Sequence, residues 1–404
     1  MRIKNLSSKH ILILILLASL FLRLFRLDYP KTYVFDEVYH GFTAKEYLKG
    51  NREAWEWWTN PPEGVAFEWT HPPLAKEIMT VSMFILKTQD SWAYRLPGVL
   101  LGALSIYLVY LLALKLLKNR NMALISAFAF SIDGLNFVQS RIAMNDIYYL
   151  SFVLLSLLLF LNKKFILSAI FLGLAISSKW AAIYIYLMFI PLLLLQRKVL
   201  HVLYLIAIPI IIYLISYIPF FLQGHSVNQF MELQAQMWWY HTNLKAAHDY
   251  ASAFWSWPLN LYPVWYFIDY FENSTANIFA SGNPALFWVG TVSVILTVYE
   301  AIKKKSLALL TIIAGFLIFW LPWAISPRIM FLYHFSPSVP FMCLCLGYQL
   351  GQDFADEKRK KLILFLLSIM GLSFILVFPF LTAIPLPKNI VNLFFSINLA
   401  KNPF

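Results

Sequence analysis

Long apolar runs separated by short polar turns make up most of this chain of 404 residues. A membrane-spanning helix needs about 20 mostly apolar residues, and eleven segments have this character: 10–27, 92–117, 121–139, 146–161, 165–178, 180–196, 199–221, 285–302, 306–325, 331–351 and 361–384. Two long polar stretches, 28–91 and 222–284, interrupt the series. The pattern predicts an all-α integral membrane protein of about 11 transmembrane helices. A module over 1–284 would contain both long loops, and 285–404 would form a four-helix transmembrane module.

The charge distribution predicts the orientation of these helices. Charged residues make up 13% of the chain, against roughly 25% in soluble domains, which excludes a soluble globular enzyme. The formal net charge is +12, and basic residues such as Arg2, Lys4, Lys163 and Arg197 concentrate at the N-terminus and in short turns. Because basic residues collect on the cytoplasmic side, we expect a cytoplasmic N-terminus, an external C-terminus and external long loops, in the cell membrane. The excess charge therefore reflects topology and gives no support to nucleic acid as a partner.

The first long loop opens with two neighbouring carboxylates, Asp36 and Glu37, just after a span. Burial raises a carboxyl pKa and a nearby cation lowers it, so such a pair can be tuned for proton transfer. Adjacent side chains project in different directions, which favours one base plus one orienting group; a capping aspartate beside a solvated glutamate is the alternative. Farther along, His71 precedes two prolines, which predicts a rigid turn that begins a short amphipathic helix on the membrane.

Three cations lie at the outer ends of predicted helices: Arg141, Lys179 and Arg328. Asp146 follows the first of them by five residues. Charge at this depth is expensive and usually has a functional partner, and the phosphate of a lipid in the outer leaflet would be one. The alternative is that these side chains extend to the lipid head groups.

The second long loop is rich in aromatic residues and histidines, including Trp239, His241, His248 and Trp257. Aromatic rings with polar tips favour the membrane interface, and they also stack on the faces of sugars, so both interpretations remain open. The eight histidines form no HExxH or other tight ligand cluster, and we predict no protein-bound metal and no cofactor. Cys343 and Cys345 point to different helix faces, which argues against a disulfide or metal cluster.

Taken in chain order, these motifs resemble the protein O-mannosyltransferase family, glycosyltransferase family 39, in its compact prokaryotic type. The matching motifs are Asp36-Glu37, His71-Pro72-Pro73-Leu74, Ser140-Arg141 with Asp146, Ser178-Lys179-Trp180, Trp239-Tyr240-His241, His248-Asp249-Tyr250, Trp255-Ser256-Trp257-Pro258-Leu259, Gly282-Asn283-Pro284 and 328–340. The resemblance implies a GT-C glycosyltransferase fold and transfer of mannose from a polyprenyl-phosphate donor to Ser or Thr hydroxyls of exported proteins. It also implies that Asp36 is the base.

Two departures from the family pattern are visible. Between the seventh and eighth spans there is no room for the β-trefoil domain that eukaryotic members carry, and Phe254 stands where a tryptophan is expected.

The resulting hypothesis is inverting sugar transfer at the outer membrane face. Asp36 takes the proton of the acceptor hydroxyl, and Arg141, Lys179 or Arg328 meets the charge of the leaving phosphate. The chain has no Gly-rich phosphate loop, in agreement with a lipid-linked donor. Two alternatives remain: a GT-C enzyme with a lipid or glycan acceptor, and a transporter or lipid flippase. The expected partners are the lipid donor, an unfolded or secreted polypeptide and the bilayer; association with a secretion channel is left open.

Overall fold

The computed structural model describes residues 7–352, 354 and 356–397. Arg2, Lys4 and the C-terminal residues 398–404, on which part of the predicted orientation rests, lie outside the described residues. The α-helices are α1 (Ser8–Leu24), α2 (His40–Leu48), α3 (Leu74–Leu86), α4 (Ser91–Leu117), α5 (Arg120–Ser131), α6 (Gly134–Gln139), α7 (Asn145–Leu161), α8 (Phe165–Ser178), α9 (Tyr186–Leu195), α10 (Val199–Ser216), α11 (Ile218–Leu222), α12 (Val227–Asn243), α13 (Pro284–Lys304), α14 (Leu307–Trp320), α15 (Val339–Gly351), α16 (Glu357–Val377) and α17 (Lys388–Ile397).

Short 3-10 helices and a small sheet complete the structure. The 3-10 helices are Phe35–Val38, Arg52–Trp55, Trp180–Ile185, Phe254–Leu259, Leu321–Ile325, Leu332–Phe335 and Phe378–Leu381. The strands β1 (Val264–Tyr270), β2 (Ser274–Ala280) and β3 (Leu386–Pro387) pair antiparallel in the order β1-β2-β3. This sheet was not predicted. It is confined to the second long loop and the segment after α16, so the predicted all-α class of the membrane part is confirmed.

Each of the eleven predicted spans coincides with helical structure. Within the described residues, five helical segments are long and apolar enough to cross a membrane: Ser91–Leu117, Val199–Leu222, Pro284–Lys304, Leu307–Ile325 and Glu357–Leu381. Shorter apolar helices cover Asn145–Leu161, Phe165–Ser178, Trp180–Leu195 and Val339–Gly351. The membrane character is therefore clear, while the number eleven stays a prediction.

Several of the predicted spans are interrupted near one end, and two of these interruptions have a clear local cause or geometry. The span at 121–139 divides into α5 and α6 because the Asp133 carboxylate accepts hydrogen bonds from the backbone N–H groups of Leu135 and Asn136, which starts a new helix. The span at 180–196 begins as a 3-10 helix, after Lys179 adopts an extended conformation at the end of α8. Both breaks bring polar side chains to the ends of apolar helices.

The core is formed by close contact between helices of the two halves of the chain. Helix α8 packs between α7 and α10, while α15 packs against both α5 and α13. Gly347 on α15 faces Ser126 on α5 so closely that a Cβ atom would overlap the serine side chain. Small residues permit such close helix approach in membranes. The first long loop folds over one end of this bundle as α2 and α3, the short helices expected there.

Candidate active site

A large cavity opens at the end of the bundle that carries the long loops. Its volume is about 1390 Å³, and its wall combines the first loop, the ends of α7, α8, α10 and α12, and the segment 322–334. Motifs that lie far apart in the sequence meet here. Seven of the predicted site residues line the cavity: Asp36, His71, Asp146, Lys179, His241, His248 and Arg328.

The two adjacent carboxylates have different surroundings, because successive residues of the 3-10 helix Phe35–Val38 point about 120° apart. Asp36 lines the cavity. Glu37 is fully buried and forms a paired interaction with Arg95, at 2.8 Å from Nε to Oε1 and 2.7 Å from Nη2 to Oε2. Its oxygens also accept the backbone N–H groups of Val34 and Ala143, both at 2.9 Å. Glu37 is therefore held entirely by the protein.

The Asp36 carboxylate, by contrast, accepts no hydrogen bond from any residue that the structure describes. Burial raises the pKa of Asp36 to about 7, and the nearby negative charge of Glu68 also raises it. Lys179 and Arg328 lie close enough that their charges act in the opposite direction. A carboxyl group with a pKa near neutrality can accept a proton at physiological pH.

Two cations face the same cavity, each held by a partner. Lys179 Nζ donates to both oxygens of Asp146, at 2.9 and 3.0 Å. Arg328 Nη1 lies 2.6 Å from His241 Nδ1, and His241 Nε2 lies 2.8 Å from the Thr70 carbonyl oxygen. Burial and the Arg328 charge lower the pKa of His241 to about 4, so the neutral imidazole donates to the carbonyl and accepts from Arg328.

His71 belongs to a hydrogen-bonded cluster around Glu68. The Oε1 atom of Glu68 accepts the backbone N–H of His71 at 2.9 Å and the Thr70 hydroxyl at 2.6 Å, and lies 3.0 Å from His71 Nδ1. Burial alone would raise the pKa of Glu68, but the neighbouring imidazoles and Lys76 hold it well below its usual range. The turn at His71-Pro72-Pro73 is thus tied to an ionised carboxylate in the cavity wall.

Arg141 is placed differently from the expectation. Its Nη1 atom donates to the carbonyl oxygens of Leu22 and Arg23, at 2.8 and 3.0 Å, near the end of α1. It is 5% exposed and is not part of the cavity wall. The structure therefore does not bring Arg141 to the cavity, and its guanidinium instead donates to open carbonyl groups of the last turn of α1.

Two of the predicted aromatic residues also lie away from the cavity. Trp239 follows the buried Met237 by two residues, about 200° around α12, and is 55% exposed. Trp257 is fully buried, and its Nε1 donates to the Ser252 hydroxyl at 2.9 Å. Neither lines the cavity: Trp239 has an exposed position and Trp257 a buried packing position.

Several polar residues of the wall were not predicted from the sequence. They include Glu68, Asn145, Tyr213 and Gln234. Of these four, Glu68 could have been noticed in the sequence as an acidic residue three positions before His71. Among the described residues, no group of three or more His, Cys, Asp or Glu side chains is arranged to hold a metal ion.

The remaining wall of the cavity is apolar. Side chains from the end of α8, the 3-10 helix after it, and the middle of α10 form it, including Ile176, Ile183, Ile206, Ile210 and Leu214. Ile183 and Ile210 are about half exposed, and α10 is an apolar helix that can face lipid. The cavity thus joins a charged end to an apolar side, as an amphipathic lipid requires.

The bundle and its cavity define the class: a polytopic membrane protein with the GT-C glycosyltransferase fold. The Pmt1-Pmt2 protein O-mannosyltransferase complex of Saccharomyces cerevisiae, solved with its sugar donor, has a similar chain. It superposes with a TM-score of 0.79 at 14% identity, covering 96% of this chain and 92% of that one. ArnT from Cupriavidus metallidurans, solved with undecaprenyl phosphate, gives a TM-score of 0.62 at 15% identity, with coverage of 86% and 61%.

Sequence comparison then identifies the family. The family model for dolichyl-phosphate-mannose-protein mannosyltransferase matches residues 13–223, and that for the C-terminal four-TMM region of protein O-mannosyltransferase matches 226–393. The chain belongs to the dolichyl-phosphate-mannose-protein mannosyltransferase family. A relative from Mycolicibacterium smegmatis, a polyprenol-phosphate-mannose--protein mannosyltransferase, is 22% identical, and the alignment covers 90% of this chain and 86% of that relative.

Proposed function

We propose that this protein transfers mannose from a polyprenyl-phosphate mannose donor to Ser or Thr hydroxyls of polypeptides. The observation that carries the proposal is the composition of the cavity. One space contains a carboxylate without a hydrogen-bond partner among the described residues, two cations and an apolar wall. The carboxylate can act as the base, the two cations can bind the lipid phosphate, and the apolar wall can accommodate the prenyl chain.

In the proposed donor complex, the prenyl chain lies along the apolar wall and the phosphate lies between Lys179 and Arg328. Both side chains can donate further hydrogen bonds, since an ammonium has three donors and a guanidinium five. Asp146 and His241 keep these cations in position. The negative charge that develops on the departing phosphate would be met by two preorganised positive charges.

In the proposed reaction, Asp36 accepts the proton of the acceptor hydroxyl. The hydroxyl oxygen forms a bond to the anomeric carbon, and the bond from that carbon to the phosphate oxygen breaks on the opposite face. The electron pair leaves with the polyprenyl phosphate. Because attack and departure occur on opposite faces of the anomeric carbon, the configuration at that carbon inverts. Glu37, through its pair with Arg95, fixes the backbone beside the base.

The other predicted residues receive supporting roles in this proposal. His71 shapes the wall through Glu68, His248 contributes to the rim beside Phe331 at a ring distance of 5.1 Å, and Arg141 ties α1 to the segment before α7. Trp239 anchors α12 at the membrane interface, and Trp257 supports the second loop. We further propose the division after residue 284, the cell membrane as location, a cytoplasmic N-terminus and an external active site and C-terminus.

The test is to incubate membranes that contain the protein with radiolabelled polyprenyl-phosphate mannose and a secreted polypeptide rich in Ser and Thr. We expect label in the polypeptide fraction, bound through a linkage released by alkaline β-elimination. Label in the lipid or glycan fraction instead would replace the polypeptide acceptor by another one. Movement of intact donor across the membrane without sugar transfer would contradict the enzymatic proposal.

A further inference from the structure

The backbone immediately before the proposed base adopts an unusual conformation. Phe35 has φ +49°, in the left-handed region that residues with a side chain avoid because the Cβ atom approaches the following carbonyl oxygen. Asp36 follows directly, and no described residue hydrogen-bonds its carboxylate. The direction in which that carboxylate points is therefore set by the backbone at Phe35 and by the fixed Glu37 on its other side.

The ring of Phe35 is held by two tyrosines from distant parts of the chain. It stacks on Tyr266 with ring centroids 4.1 Å apart and planes inclined by 15°. The edge of Tyr333 contacts it at 5.9 Å. Tyr266 and Tyr333 are 5% and 7% exposed. Phe35 and Tyr333 themselves line the cavity, whereas Tyr266 is not part of its wall.

Tyr266 reaches this position through an irregularity in the hairpin. In the β1–β2 pairing, Trp265 lies opposite Phe279 and Phe267 lies opposite Ile278, which leaves Tyr266 without a partner at a bulge. A bulge redirects one side chain of a strand, and bulges are frequent beside active sites. Here the redirected side chain is the one that stacks on Phe35.

A second contact ties the same strand to the same loop. The hydroxyl of Tyr29 donates to the Asp269 carboxylate at 2.9 Å, and the Tyr29 ring meets Phe267 edge-on at 6.4 Å. Strand β1 therefore contacts the first loop at Tyr29 and at Phe35. The hairpin is in turn paired with β3 from the far end of the chain.

We infer that Tyr266 is a positioning residue for the transfer reaction: it holds Phe35 in the left-handed conformation and so directs the Asp36 carboxylate into the cavity. This inference rests on the proposed role of Asp36 as base. Tyr266 is not part of the cavity wall, whereas Phe35 is, so Tyr266 acts through Phe35. The small sheet that covers the loop thereby contributes to catalysis from outside the cavity.

The first experiment compares three variants in the mannose transfer assay. We expect Tyr266→Ala to lower kcat by about 10- to 100-fold, since small displacements of a reacting group have effects of this size, with the donor KM little changed. Tyr266→Phe keeps the ring and should retain most of the rate. Tyr270→Ala is the matched control, because Tyr270 lies on the same strand, is 71% exposed and is remote from the stack. Equal losses in Tyr266→Ala and Tyr270→Ala would contradict the inference.

The second experiment separates backbone conformation from packing. Phe35→Ala removes the ring and keeps a Cβ atom in the left-handed conformation, whereas Phe35→Gly removes the ring and the steric conflict together. We expect Phe35→Gly to be faster than Phe35→Ala. A glycine variant as slow as or slower than the alanine variant would overturn the inference, since a purely packing role predicts no rescue by glycine.

Asp36→Asn in the same assay tests the proposed base separately from the positioning role of Tyr266. If Asp36→Asn is inactive and Tyr266→Ala behaves like the unmodified protein, the positioning role fails and the proposed base survives. If Asp36→Asn is active, the proposed base itself fails. Binding of polyprenyl phosphate to each purified variant should stay within about twofold of the unmodified protein, because the phosphate site is separate; loss of this binding in Tyr266→Ala would show general damage and contradict the inference.

Discussion

Two groups of charged residues lie close together in this protein. In one group the protein itself supplies the hydrogen-bond partners, whereas the side chains of the other group face a cavity. The buried cluster consists of Glu37, Arg95 and Arg141, and its hydrogen bonds go to one another or to backbone groups. The cavity cluster consists of Asp36, Asp146, Lys179, His241 and Arg328, and all five face open space. The two groups meet at adjacent residues, Asp36 and Glu37.

The difference shows how one motif can carry two functions. A buried charge is tolerable when its own chain provides partners, and Glu37 accepts four hydrogen bonds from three residues. A charge that faces a cavity and has unused bonding capacity can bind or react with a ligand. The structural residues differ from the proposed reactive ones in that the protein fills their hydrogen-bonding capacity; both groups are charged.

The largest effect should follow from removing the proposed base. Asp36→Asn keeps the size of the side chain but cannot accept the proton, and we expect kcat to fall by about 10² to 10⁴. Donor affinity and the thermal midpoint in detergent should change little. Transfer rates measured at saturating donor check the expectation, and near-normal turnover would remove Asp36 from the role of base.

The neighbouring carboxylate should behave in the opposite way. Glu37→Gln breaks a buried pair and leaves Arg95 without its counter-charge, which typically costs about 3–5 kcal/mol of stability. We expect poor recovery of folded protein and a lower thermal midpoint. Glu357→Gln is the control, since Glu357 is 77% exposed in its pair with Lys360 and exposed pairs contribute about 0–1 kcal/mol. A stable but inactive Glu37→Gln protein would contradict the comparison.

The arginines of the two groups should also differ. Loss of a hydrogen bond to a charged group costs about 1.5–3 kcal/mol, so Arg328→Gln should weaken donor binding by about 10- to 100-fold. Arg141→Gln should lower the thermal midpoint with little effect on donor binding. Titration of purified protein with polyprenyl phosphate measures both. If Arg141→Gln weakened binding as strongly as Arg328→Gln, the assignment of Arg141 to the buried cluster would be wrong.

The smallest expected effect is on pH dependence. Burial and the Glu68 charge raise the pKa of Asp36 to about 7, so the active, deprotonated form is lost as the pH falls through this value. Glu68→Gln removes one negative charge, lowers that pKa and should move the acidic limb of the kcat profile to lower pH. Glu53→Gln, at an exposed position of the same loop, should leave the limb unchanged. A limb that moves to higher pH in Glu68→Gln would contradict the proposed influence of Glu68.

Much of the fold could be predicted because its signals are local. Each apolar run must satisfy its own backbone groups within the membrane, so length and composition suffice to predict a helix. The hairpin escaped prediction because its strands lie in the second long loop, where alternation is weak and the bulge at Tyr266 interrupts it. The turn at His71 was predictable because two prolines restrict the backbone.

The site was predictable to a lesser extent. A charged residue in an apolar sequence indicates importance, and Lys179 and Arg328 do line the cavity. The same signal pointed to Arg141, whose guanidinium instead meets the end of α1. The sequence alone cannot distinguish Arg141 from Lys179 and Arg328, because the carbonyl groups that bind Arg141 belong to a helix more than a hundred residues earlier in the chain.

The sequence alone determined the membrane class, the family and the order of the motifs, since hydrophobicity and residue identity are properties of the chain itself. The tertiary structure decided which charges remain available. Asp36 and Glu37 are chemically alike and adjacent, yet Arg95 and two backbone N–H groups saturate Glu37 while Asp36 faces the cavity. Hydrogen-bond partners come from distant segments, so their presence is a property of the folded protein.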